Sequence, residues 1–267
     1  MTTSQPRDPA ADATPFPEPE EPAATAFLPP APRHRWGFGA FLLVEAVLLA
    51  SAAFVSVLVG DTGPGPLPMR VVLLGTMLPT MIAAGVAVLI TCVRGNGPVA
   101  DLRLEWRWAD VKTGLRYGCV GLVFTTLAAY LWTQLVGDAN ATSAISALVE
   151  DRKMSIPAAI VMFVYLWLLG PICEEIIYRG LLWGAAEQLQ WRSEQWGRVA
   201  AFLLSTAVFA ASHLEPLRTT LLLVIAVPIG LARLVTGRLP GSIVAHQVNN
   251  FLPALTILLG ALGVASF

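Results

Sequence analysis

The chain has 267 residues, of which 55% are hydrophobic and 13% charged, with a mean hydropathy of +0.66 and a net charge of −1. A soluble domain is typically about 25% charged, so this composition excludes an ordinary soluble fold and points to a polytopic membrane protein. The near-zero net charge excludes the basic footprint of a nucleic-acid partner, and Cys92, Cys119 and Cys173 make neither a disulfide framework nor a CxxC metal spacing.

Residues 1–35 differ in kind from the rest: nine of the twenty prolines precede residue 33, with Glu18, Glu20 and Glu21 among them. Such a stretch buries too little apolar surface to fold, and it lacks the basic start and apolar centre of a signal peptide. It is expected to be a disordered tail, followed by a transmembrane helical domain over 36–267. A spanning helix needs about 20 apolar residues. Expected spans cover 37–59, 70–93, 113–136, 156–190, 198–213, 219–235 and 240–263. Gly170-Pro171 either kinks the fourth of these or divides it, so the all-α bundle is expected to have seven or eight spans.

With seven spans, one side carries Arg33, Arg35, Arg94, Arg103, Arg107, Lys112, Arg116, Arg192, Arg198, Arg233 and Arg238, and the other carries Arg70, Arg152, Lys153 and Arg218. That imbalance favours a cytoplasmic N-terminus, and a plasma-membrane location is expected.

The fourth span carries the chemistry. It reads IPAAIVMFVYLWLLGPICEEIIYRGLLWGAAEQLQ, and Glu174, Glu175 and Arg179 interrupt it. Ionisable groups at membrane depth cost about 2.5–3.5 kcal/mol each on the insertion scale and are kept where they pair, face water or react. On a helix, Glu175 and Arg179 are four apart and share a face, whereas Glu174 points about 100° away. Glu175 is therefore expected to pair with Arg179, leaving Glu174 free. Gly180 and Gly184 give a small-xxx-small spacing that would admit another helix backbone.

Two of the three histidines lie downstream in apolar segments. The midpoint between residues 174 and 213 falls in the polar turn Gln190–Arg198, so an antiparallel hairpin levels His213 with Glu174. Phe209 precedes His213 by one turn. In GSIVAHQVNNF, His246 and Asn250 share a helix face, either as a polar stripe bonding neighbouring helices or as donors for an oxyanion. Counting from the 236–239 turn leaves His246 about 16 Å from the height of His213, a gap to be closed by tilt or by kinks at Pro216 and Pro228. Glu45, in the first span, belongs to no motif and either lines the cavity or snorkels.

EExxxR at Glu174–Arg179, FxxxH at Phe209–His213 and HxxxN at His246–Asn250, in this order over roughly 150–255, resemble the CPBP (Abi) family of intramembrane proteases, which includes the type II CAAX prenyl proteases. The resemblance implies hydrolysis of a membrane-associated peptide or protein within the bilayer. Glu174 and His213 would activate water, His246 and Asn250 would hold the oxyanion, and Glu175, Arg179 and Phe209 would support them. The family is described both as metalloproteases and as metal-free glutamate proteases. Zinc would have to use Glu174, His213 and His246, but the HExxH helix that pairs two histidines with a glutamate base is missing. No cofactor is therefore the preferred expectation, with zinc the alternative. Other readings are a non-catalytic membrane scaffold or immunity protein, a proton-coupled transporter, and a Cys173–His213 cysteine protease. Oligomeric state is not legible.

Overall fold

The computed structural model describes residues 34–60, 67–149 and 154–264. The expected tail, up to Arg33, and the two cations Arg152 and Lys153 lie outside the described residues. The described chain is helical and contains no strand. Seven long helices follow one another: α1 (Phe38–Val59), α2 (Met69–Arg94), α3 (Trp108–Val136), α4 (Ile156–Glu187), α5 (Glu194–Ser212), α6 (Thr219–Thr236) and α7 (Leu239–Ala261), with short turns of helix at Pro98–Asp101, Asp138–Ala141 and Ala144–Val149. Lipid offers nothing to a bare peptide group, so apolar runs of this length must close their hydrogen bonds internally.

Six of the seven, all but α5, are long and apolar enough to cross a membrane. This is fewer than the seven or eight spans expected. The eighth was to come from division at Gly170-Pro171, but α4 runs without a break from Ile156 to Glu187. The expected span 198–213 lies in α5, whose apolar character is diluted by Glu194, Gln195, Arg198, Ser205 and Thr206. The protein is an integral membrane protein of helical class.

Close approach between helices runs along α3. A methyl group on Gly114 would stand 2.5 Å from the Gly241 carbonyl, one on Gly118 2.7 Å from Val248, and one on Gly121 2.8 Å from Pro228. Small residues here let α7 and α6 lie against the α3 backbone. The Gly180/Gly184 spacing, by contrast, does not receive a helix backbone. Gly180 meets the Leu102 side chain and Gly184 meets the Trp36 ring. The period was correctly a small-residue contact, but its occupants are side chains from loops.

One end of the bundle gathers the beginnings and ends of several helices. The Arg35 N–H donates to the Arg94 carbonyl, Arg103 pairs with Glu187 at 3.3 Å, and Arg103 also reaches the Gly237 carbonyl. Gly237 ends α6 at φ +65°, a left-handed conformation that glycine adopts without a Cβ penalty.

His34 and Arg35, expected within the tail, are seated at this same end. The His34 ring stacks on Trp36 at 3.4 Å, Trp36 Nε1 donates to Asp101, and Gln188 donates to the His34 carbonyl. Burial holds the His34 pKa below the ordinary 6.5, only partly offset by the Trp36 carbonyl and the Asp101 and Glu187 carboxylates. The unfolded chain then binds the proton more readily than the folded one. The contribution to stability is whole above about pH 6.5 and is lost as pH falls through the lowered folded value. His34→Phe, which keeps an aromatic stack, should flatten the fall in melting temperature between about pH 7.5 and about pH 5 relative to the unaltered chain. An equal or steeper fall in the variant would remove His34 from the account.

Candidate active site

The site is built on an irregular stretch of α4. Pro171 has no N–H to donate and its ring crowds the preceding turn. The helix answers with wider, π-helical turns at Tyr165–Leu169 and again at Ile176–Leu182, on either side of Gly170–Glu175. Such turns free carbonyls, which neighbouring helices can satisfy. Two are taken by α7: Asn250 Nδ2 donates to the Leu166 carbonyl at 3.3 Å and Gln247 Nε2 to the Leu168 carbonyl at 3.4 Å.

Between the wide turns the two glutamates separate as the helix geometry requires. Glu175 is fully buried, and its Oε1 accepts from Arg179 Nη1 at 3.0 Å and from His246 Nδ1 at 3.0 Å. The Arg179 guanidinium, also fully buried, lies 4.3 Å above the Phe209 ring. The cationic plane on an aromatic face compensates part of its lost hydration. Phe209 meets both histidines edge-on, His213 at 4.7 Å and His246 at 5.6 Å between ring centres. Its single benzene ring therefore spaces the two imidazoles and the buried guanidinium.

Glu174 faces elsewhere. Its side chain is 26% exposed and it lines a cleft of about 130 Å³ together with Leu48, Thr80, Ile177, Tyr178, Ser212 and His213. At about 30 Å³ per molecule, that space accommodates about four waters. The expected levelling of Glu174 with His213 is thus met: the two share one cleft. His213 closes the end of α5, and Nδ1 meets the Phe209 carbonyl at 2.8 Å. A carbonyl only accepts, so Nδ1 carries the proton and a neutral His213 keeps Nε2 as an acceptor. The next residue, Leu214, turns left-handed at φ +54°, which ends the helix sharply at the histidine.

His246 was the residue with the height problem. It sits between the glutamates, with Nδ1 on Glu175 and Nε2 3.6 Å from Glu174 Oε2. Counting residues failed because the turn before α7 is not at the surface: Leu239 is fully buried and packs with Leu102, Ile172 and Ile176. Of the two prolines expected to kink the path, Pro216 lies outside any helix and Pro228 lies inside α6. The expectation that Glu174 stands free is modified: it has His246 as neighbour, beyond direct hydrogen-bond distance but within reach through one water.

Asn250 is not brought to the cleft lining; one of its amide hydrogens is committed to Leu166. Further residues absent from the motif reading do belong here. Tyr178 lines the cleft, packs edge-on to Phe209 at 5.4 Å, and has Glu45 and Ser212 as polar neighbours. Its position inside the EExxxR motif and that of Ser212 beside His213 were available signals. Thr80 and Leu48, from α2 and α1, had none. Glu45 turns inward to Tyr178 rather than snorkelling.

The segment that supplies most of these groups has relatives. Residues 156–252 match the model of the type II CAAX prenyl endopeptidase Rce1-like family. The matched segment is similar to that family and covers 97 of the 267 residues. It takes in α4, α5, α6 and about half of α7, while α1, α2 and α3 lie outside it. No curated protein and no solved structure matches the chain. Among the described residues no three His, Cys, Asp or Glu side chains stand together as a metal-holding group. Glu174, His213 and His246 are the residues that would hold zinc; His246 Nδ1 and His213 Nδ1 are both engaged, which leaves each Nε2 for a metal or a proton.

Proposed function

We propose that the protein is an intramembrane endopeptidase that hydrolyses a peptide bond of a membrane-associated peptide or protein, with Glu174 as general base. The observation that carries this reading is the division of the glutamate pair: Glu175 is fully buried against Arg179 and His246, while Glu174 opens onto a cleft that it shares with an unblocked His213 nitrogen.

The chemistry follows from these positions. The Glu174 carboxylate takes a proton from a cleft water as the water oxygen adds to the scissile carbonyl carbon. His213 Nε2 accepts a hydrogen bond from that water and orients it. The oxygen that gains charge needs donors. A His246 imidazole with Nδ1–H on Glu175 presents Nε2 toward the reaction side, and it donates there only when that nitrogen also carries hydrogen, with Glu175 as counter-ion. The second amide hydrogen of Asn250 is the other candidate donor. Collapse of the tetrahedral intermediate returns the proton from Glu174 to the leaving amine, giving one carboxylate product and one amine. The membrane is read as the plasma membrane and the N-terminus as cytoplasmic, the orientation supported by the arginines gathered at the end of the bundle that holds the start of α1.

Comparison of membrane peptide termini between cells carrying the active chain and cells carrying Glu174→Gln tests the reading. New termini that require Glu174 are expected, and identical termini in both would leave the scaffold or transporter readings. Purified active protein should contain far less than one zinc per chain and keep its activity after dialysis against a strong chelator. Stoichiometric zinc, with activity lost on chelation and restored by zinc, would decide for a metalloprotease.

A further inference from the structure

The N-terminal third of α3 has a face that no described residue covers. Trp108, Lys112 and Arg116 are all exposed and follow at i, i+4 and i+8, which puts them in one row. The opposite side of the same helix is the glycine row that packs on α7 and α6, so this row faces lipid. Further along α3, Val120, Val123 and Phe124 are exposed and continue as a purely apolar surface.

Side chains on a helix lean toward its N-terminus. Lys112 and Arg116 therefore reach back toward Trp108, whose indole is 66% exposed where the helix begins. Trp106, also exposed, precedes it. Indoles settle at the headgroup level, and long cationic side chains extend toward it from within the hydrocarbon. The two ammonium and guanidinium groups thus converge at headgroup height.

No described residue neutralises them. Among the described residues neither Lys112 nor Arg116 enters an ion pair. Asp110, the acid of the first turn, is buried and pairs with Arg238 at 3.6 Å. Glu105 is exposed but precedes the helix. Both cations also stand toward the positive end of the helix dipole, where positive charge is disfavoured. The row is complementary to an external anion.

We propose that this face is a binding site for an anionic phospholipid of the surrounding membrane. Lys112 and Arg116 would hold the phosphate, the Trp108 indole would lie at the glycerol level, and an acyl chain would run along Val120, Val123 and Phe124. The ligand is recognised by its charge and its two-part chemistry rather than by a particular headgroup.

The test uses the full-length protein in detergent, with phosphatidylglycerol or phosphatidylcholine added. Native mass spectrometry should find at least about tenfold more phosphatidylglycerol than phosphatidylcholine retained, and the melting temperature should rise with the former only. The doubly altered Lys112→Gln/Arg116→Gln protein should lose that preference, while Arg70→Gln should keep it. Lys112→Arg/Arg116→Lys, which retains both charges, should also keep it and guards against a folding defect in the neutral variant. Equal retention of both lipids by the unaltered chain, or an undiminished preference in the neutral variant, would overturn the proposal.

Discussion

Glu174→Gln is expected to abolish hydrolysis while leaving the melting temperature almost unchanged. The amide has the same shape but cannot take a proton from water, and loss of a general base typically costs about 10²–10⁴ in rate. The stability side of the expectation comes from position. Glu174 is partly exposed to the cleft, and its ionic neighbour, His246, stands at 3.6 Å. No buried partner is orphaned by the change. Activity measured on the substrate found by the termini comparison, alongside a melting curve, separates the two effects. Normal cleavage by Glu174→Gln would sink the catalytic assignment.

Arg179→Ala should do the reverse in kind, lowering stability first and activity as a consequence. Glu175 and Arg179 are both fully buried at 3.0 Å. Removing one member of such a pair leaves an uncompensated charge and typically costs about 3–5 kcal/mol. Here the loss is compounded, because the guanidinium also covers Phe209, and Phe209 spaces both histidines. For a chain of this size, such a loss corresponds to about 6–20 °C in melting temperature. Arg179→Lys keeps the charge but not the planar fork and should fall between. A melting temperature for Arg179→Ala within two or so degrees of the unaltered chain would mean that the pair is not what holds Glu175 in place.

The parts of the site that could be read from the sequence are those set by local helix geometry. Glu174 and Glu175 point apart, and Glu175 finds Arg179, because 3.6 residues per turn dictates it. Phe209 and His213 follow from the same rule. His213 could be levelled with Glu174 because the polar turn between α4 and α5 is centred between them. What was not legible depended on departures from ideal geometry. The depth of Leu239 decides where His246 falls, and the π-helical turns of α4 decide which carbonyls are free; neither has a marker beyond Pro171. The role of Asn250 was half visible. Its row with His246 does exist, but its amide is drawn to a carbonyl that an unbroken α-helix would not have freed. The same limit explains Gly180 and Gly184, whose spacing announces a close contact but not its partner. Thr80 and Leu48 reach the cleft from helices outside the matched segment 156–252, and only tertiary packing assigns them.

The wide turns flanking Gly170–Glu175 have a mechanical consequence. A helix whose hydrogen bonds all close at one spacing transmits rotation rigidly from end to end. α4 does not, because on each side of the glutamate pair it contains a stretch where the winding is already relaxed. The six residues between take their orientation from what packs on them. The amides of Gln247 and Asn250 grip the first relaxed stretch from α7, and His246 grips Glu175 from the same helix. The glutamate pair, and with it the Glu174 carboxylate, is thus held by α7 as well as by α4. The reactive angle of this carboxylate is set by the register between two helices and not by α4 alone.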